Sequence, residues 1–215
     1  EHFPDNSPGD LLSIRIEGSL IEDSSLISGN ISVNFEGSAE ELFRSMLSSV
    51  EPSERDLLIE RLFGLLPDSE VMIEGDPSSI ASPLRLHGTG KWNCGLQRTG
   101  NAVYLLLPGL EALDIVTSRA AAYILPRFRE DIHIETPYSA FLSITLTDIP
   151  SGHPFLPDPL DTDTYSISIS CADGALLLEE SFSLQSCLPD ALQLLEMRGG
   201  LLARLSSSAR TVVFR

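Results

Sequence analysis

Polar and apolar positions alternate from Leu11 onward. Leu12, Ile14 and Ile16 interleave with Ser13, Arg15 and Glu17, and the same period of two returns in Ile31, Val33 and Phe35. Alternation of this kind belongs to strands with one face buried and one in water. The turn-like Glu22-Asp23-Ser24-Ser25 lies between the two runs. They therefore predict an antiparallel hairpin over Leu11–Ile21 and Ile27–Phe35. The period then changes. Leu42, Phe43, Met46, Leu47 and Val50 gather on one helical face, and Ser38 with Glu41 reads as a capping box opening that helix. After Pro52, a second amphipathic helix runs to Leu66, with Ser53 expected to cap it and Gly64 expected to weaken its last turn. Neither helix is long enough to be stable alone, so both are expected to pack on the sheet.

Strand patterns resume at Glu70–Glu74, Pro83–Lys91 and Ala102–Leu107, with Asn93–Gly100 expected as a loop. Pro108-Gly109 breaks the pattern, and residues 110–126 read as a helix or an irregular crossover. A second strand set follows at Phe128–Glu135, Ala140–Thr147, Tyr165–Cys171 and Ala175–Phe182. The last two flank Asp173-Gly174, a strong hairpin signal. Pro150 to Pro159, with four prolines, reads as a loop. Pro189 opens a C-terminal helix from Asp190 to about Arg198, and Thr211–Phe214 forms a closing strand. The fold class is therefore α+β and predominantly antiparallel β. Sandwich-like sheets carry two inserted amphipathic helices and a C-terminal helix. The expected division is a β-sheet subdomain over residues 1–108 containing the helical pair 38–66, a connector over 109–125, and a β-rich subdomain over 126–215.

A hydrophobic fraction of 42% over 215 residues is enough for a real core and excludes a disordered chain. The formal net charge of −17 argues against nucleic acid and anionic lipid surfaces as partners, because phosphates would be repelled. No apolar run approaches the roughly 18 residues a spanning helix needs, so no membrane insertion is expected. Glu1 replaces an initiator Met and no signal peptide follows, which reads as an internal or processed stretch.

Chemistry is harder to find. Cys94, in Lys91-Trp92-Asn93-Cys94-Gly95, has His87 nearby and is the best thiol nucleophile pair available, but it sits in a Gly-bracketed loop and does not open a helix. Cys171 and Cys187 form either a disulfide or two free thiols. His2, His87, His133 and His153 are isolated from one another, which disfavours zinc. Asp158, Asp161 and Asp163 form a small acidic loop with carboxylates for calcium, but it lacks the glycine and distal glutamate of an EF-hand. Glu40/Glu41 and Glu179/Glu180 read as solvated faces before acid–base pairs. Trp92, Tyr104 and Tyr138 could build a ligand patch, although aromatics on alternating strands usually fill cores. Asn30-Ile31-Ser32 is a glycosylation triplet. No catalytic, cofactor-binding or metal residue is assigned, and no cofactor is expected.

The order of elements resembles the C-terminal β-rich region of bacterial extracytoplasmic transglutaminase-like proteins. The similarity rests on Gly18 in the first strand, Phe35-Glu36-Gly37 entering the first helix, and Pro52-Ser53-Glu54-Arg55 starting the second. It continues in Asp76 to Arg85, in Arg127 to Tyr138, and in Pro189 to Phe214. The proline-rich Pro150–Pro159 departs from the shorter connection usual in the family. The resemblance implies an accessory or interaction module outside the cytoplasm, contacting a protein partner or an upstream domain of the same chain. The family's Cys-His-Asp triad would lie upstream, so none of its catalytic residues maps onto these positions. The alternative is a cell-envelope domain that binds a peptide or glycan.

Overall fold

The computed structural model describes residues 10–21, 24–115, 138–162, 164–184, 196, 199 and 210–215. The first hairpin forms as its alternation predicts. Strands β1 (Asp10–Leu20) and β2 (Leu26–Glu36) pair antiparallel with Ile14 opposite Val33 and Ile16 opposite Ile31. These four side chains are buried, while Arg15, Glu17, Asn30 and Ser32 face water on the other side.

Helices α1 (Ser38–Ser48) and α2 (Arg55–Phe63) follow, joined through a short 3₁₀ turn at Pro52–Glu54. Helix α1 buries Phe43 and Leu47 as its spacing predicts, together with Ala39 and Arg44; α2 buries Ile59, Leu62 and Phe63, while Leu57, expected on its apolar side, is exposed. Phe43 of α1 lies 4.5 Å from Phe35 of β2 and 6.1 Å from Phe63 of α2, ring centre to ring centre. The expected caps are not made. Gly37, at φ 60°, is the N-cap of α1, Glu54 is that of α2, and neither helix start receives a side-chain cap. Gly64 also departs from expectation. It adopts the left-handed conformation (φ 62°), and the Leu65 N–H reaches back to the Glu60 carbonyl at 2.8 Å. This is a Schellman closure, so the glycine terminates α2 cleanly where a weakened turn was expected.

The chain then builds β3 (Glu70–Glu74), β4 (Arg85–Asn93), β5 (Gly95–Thr99) and β6 (Ala102–Leu106). The presence of β5 corrects the expected loop over Asn93–Gly100. Only Leu96 of this strand is turned inward, so no alternation marks it in the sequence. Residues 111–115 form a short helical segment. The second half supplies β7 (Tyr138–Thr147), the two-residue strands β8 (Pro154–Phe155) and β9 (Leu160–Asp161), β10 (Tyr165–Ala172), β11 (Ala175–Leu184) and β12 (Thr211–Phe214). Asp173 (φ 52°) and Gly174 (φ 76°) make the tight turn that Asp-Gly predicts. The expected strand at 128–135 and helix at 190–198 lie outside the described residues, apart from Glu196.

Two sheets result. Eight strands form the larger, in the order β3-β4-β2-β1-β7-β11-β10-β9, and four form the smaller, in the order β5-β6-β12-β8. Among the described strands every pairing is antiparallel except β1 with β7, which is parallel and joins Ile14 to Leu142 in register. Four strands of the large sheet come from before residue 94 and four from after residue 137. One face of that sheet carries Leu12, Ile14, Ile144 and Leu178 into a single core. Helices α1 and α2 bury their faces in it, and so do Leu105, Val212 and Phe214 of the smaller sheet. The architecture is thus α+β and sandwich-like.

Three glycines lie side by side on the core face of the large sheet. Gly18 pairs with Gly29, and Gly29 with Gly90. A Cβ on Gly29 would stand 2.2 Å from the Glu17 carbonyl oxygen, and one on Gly90 would stand 2.5 Å from Leu65 and 2.7 Å from the Trp92 ring. The row therefore admits the indole over the sheet and lets two backbones approach. We expect Gly29→Ala to cost about 3 kcal/mol, since the obstacle is backbone. Gly64→Ala should cost about 1 kcal/mol, because its Cβ meets nothing closer than 3.7 Å and only left-handed strain is added. Urea unfolding followed by the fluorescence of the single, fully buried Trp92 measures both. Equal losses in the two variants would refute the close-approach account.

Candidate functional site

The thiol pair suggested by sequence is separated by the pleat. Cys94 follows β4 immediately, donates its backbone N–H to the Ser25 carbonyl at 2.8 Å, and is buried in the core. His87 lies seven residues earlier on the opposite, water-facing side of β4. The sheet lies between them. Burial pushes the Cys94 thiol up from its ordinary range, which suppresses thiolate. Cys171 is a half-buried free thiol, and its suggested partner Cys187 lies outside the described residues.

Two glutamates read as solvated are structural instead. Glu40 of α1 accepts from Arg44 at 2.5 Å and from the Leu84 N–H at 2.9 Å. Arg44 is itself buried and also donates to the carbonyls of Asp76 and Ser82. The node ties the 75–84 loop onto α1. In the same loop, both the side chain and the backbone N–H of Ser78 donate to Asp76 and hold its carboxyl below the usual range. Glu180, only 2% exposed, projects from β11 into the core, where it bonds Tyr165 Oη at 3.2 Å and Arg210 at 2.5 Å. Glu41 and Glu179 are exposed, as expected. Arg44 and Arg210 were the residues sequence reasoning missed, because nothing local distinguishes a buried arginine from an exposed one.

The remaining candidates are dispersed. Asp158 and Asp161 are exposed, Asp161 lies opposite Ser166 in β9, and Asp163 is outside the described residues. Among the described residues, no group of three metal-binding side chains gathers. His153 packs edge-on against Phe155, while His2 and His133 are not described. Trp92 is fully buried and donates its indole N–H to the Phe63 carbonyl at 3.0 Å, so it fills the core and offers no ligand platform. Tyr104 stays partly exposed on β6. Asn30 of the glycosylation triplet is exposed in the middle of β2, on a strand where such acceptors usually occupy loops.

Two surface features remain. The first is the outer face of the large sheet. Its central row runs Met72, His87, Ser32, Arg15, Ser143 and Glu179 across six paired strands, with Ser143 buried and the others exposed, and the rows beside it are also largely polar. The second is a groove where α2 meets β3 at the edge of that sheet. Ile59, Leu65 and Val71 line its floor, and Asp56, Glu60 and Glu70 line its walls. Nearby cations are engaged elsewhere: Arg61 holds Glu111 at 2.8 Å, and Lys91 holds Asp68 at 3.2 Å.

No protein-family model matches the chain, no curated protein is significantly similar to it, and no solved structure significantly matches its fold. Among the described residues, no helix is long and apolar enough to cross a membrane.

Two outcomes follow. In the folded protein Cys94 should resist iodoacetamide while Cys171 is labelled, and should react only as denaturant opens the core; peptide mass spectrometry reads both. Because its thiol is raised, stability should fall as pH climbs above about 8.5. Rapid native labelling of Cys94 would overturn its placement. Second, Arg210→Met should destabilise by about 3 kcal/mol or more, since it strands a buried carboxylate. Replacing the pair together (Glu180→Leu with Arg210→Met) should recover much of that loss in a thermal unfolding series.

Proposed function

We propose that this chain is a non-catalytic accessory and interaction module of an extracytoplasmic transglutaminase-like protein. The reading is supported above all by how the fold employs its reactive groups. Cys94 is shut into the core away from His87, and Glu40 and Glu180 clamp neighbouring segments, while the open surface is a broad polar sheet. The strand–helix–helix–strand order that carries the family resemblance is also present, from β1 to β4. Partner contact then falls to the exposed sheet face and its edges. The charge of −17 directs it toward cationic protein surfaces and away from nucleic acid. An aromatic platform for a glycan is not favoured, since Trp92 is internal.

The mature polypeptide carrying this chain provides the test. Its mass and peptide coverage should reveal an upstream Cys-His-Asp catalytic domain in the same molecule, exported from the cytoplasm. Deletion of residues 1–215 should leave that domain's chemistry intact on a small substrate while abolishing its co-purification with its envelope partner. A mature product consisting of these residues alone would overturn the assignment.

A further inference from the structure

We propose that the free edge of β3 binds an extended peptide segment of alternating basic and apolar residues, by adding it as a ninth strand to the large sheet. The inference stands whether or not the chain belongs to a transglutaminase-like polypeptide. Among the described residues, β3 is the last strand on its side of the sheet and pairs only with β4. In an antiparallel pair, alternate residues of an edge strand turn their N–H and C=O groups away from the neighbour, and these groups are a template for another strand. A strand laid against β3 would run along the groove beneath α2. Val71 and Ile73 are half-buried on that side, and Ile59 and Leu65 complete an apolar floor. Every second residue of the guest would cover that floor, and apolar side chains fit it.

Charge decides the remaining positions. Glu70, Met72 and Glu74 point to the open side of the edge, with Met72 62% exposed. Arg85 of β4 lies opposite Glu74, which compensates that end. At the other end Glu70 lies opposite Thr89, and the nearby Lys91 and Arg61 are held by Asp68 and Glu111, while Asp56 and Glu60 flank the apolar floor on the α2 side. A guest with Lys or Arg on its open-facing positions meets this uncompensated acid. A second copy of the chain does not fit. Antiparallel β3-to-β3 pairing centred on Met72 places Glu70 against Glu74 at both ends, and like charges directly opposite are destabilising. The acidic edge therefore selects a basic guest over self-association.

The probe is a fluorescein-labelled heptapeptide alternating Lys and Val, titrated against the whole chain by anisotropy, with amide hydrogen exchange as the second readout. It should bind and slow exchange within Glu70–Glu74, whereas a Glu–Val heptapeptide should not bind. Glu60→Lys combined with Glu70→Lys should weaken the Lys–Val peptide by about tenfold and admit the Glu–Val one. Should that variant fail to fold by Trp92 fluorescence, the wild-type chain still decides. A Lys–Val peptide N-methylated at alternate amides must lose binding if the backbone carries it. Absence of binding, binding that leaves β3 exchange unchanged, or equal binding of the N-methylated peptide would each overturn the proposal.

Discussion

The parallel pairing of β1 with β7 is the constraint on which the rest of the structure depends. It is the one non-antiparallel contact among the described strands, and it lies at the centre of the large sheet. Without it the protein would be two four-stranded halves, each with a raw hydrophobic edge. With it, Leu12, Ile14 and Ile16 continue into Leu142, Ile144 and Leu146 as one apolar surface. A surface that wide cannot be covered by the two short helices alone. Among the described residues the smaller sheet adds to that cover, with β12, the last strand in the chain, paired to β6 from the first half. The price is topological. The β1–β7 contact closes a loop of well over a hundred residues, and such pairings form slowly.

A one-sided core with distant closures needs fasteners, and here they are ionic. The Arg44–Glu40 node holds the 75–84 loop against α1, and the Arg210–Glu180 pair holds the entry to β12 against β11. Arg210 also accepts the Leu107 N–H at its carbonyl, 3.1 Å away, which extends the β6–β12 ladder. Each pair costs desolvation that apolar side chains would avoid. What they add is direction: a carboxylate in a core tolerates few arrangements of its guanidinium, whereas leucine on leucine tolerates many. The Arg44 clamp sits where the 75–84 segment, without regular secondary structure, docks onto α1.

The strands were readable wherever one side of the chain meets oil and the other meets water. β1, β2, β10 and β11 therefore stand out in the sequence, and Asp173-Gly174 marked their second hairpin because that turn demands left-handed backbone. β5 is not legible in the sequence because it lies at the edge of the small sheet with only Leu96 turned inward. The helix ends are less legible for a related reason. Ser38 with Glu41 matches a capping box and Gly64 has low helix propensity, but the backbone enters α1 through Gly37 and leaves α2 through a left-handed Gly64. The site was less readable than the fold. Glu40 and Glu180 look like any surface glutamate until a partner far along the chain is placed beside them, and the groove under α2 exists only once β3 is known to be terminal.

A sheet that ends in a free strand has to avoid its own copies. Many proteins do this by shortening or covering the edge, and β9 with β8 at the far sides of the two sheets are only two residues long. β3 is neither so short nor covered by a described element. It relies on charge, and charge excludes selectively: carboxylates refuse an acidic copy of themselves and accept a cationic stranger. With a net charge of −17 over the whole chain, long-range repulsion between copies is assured already, so glutamates placed on this one strand add little to solubility. Their effect is local, at the distance of paired strands, and at that distance the same side chains that prevent one association define another.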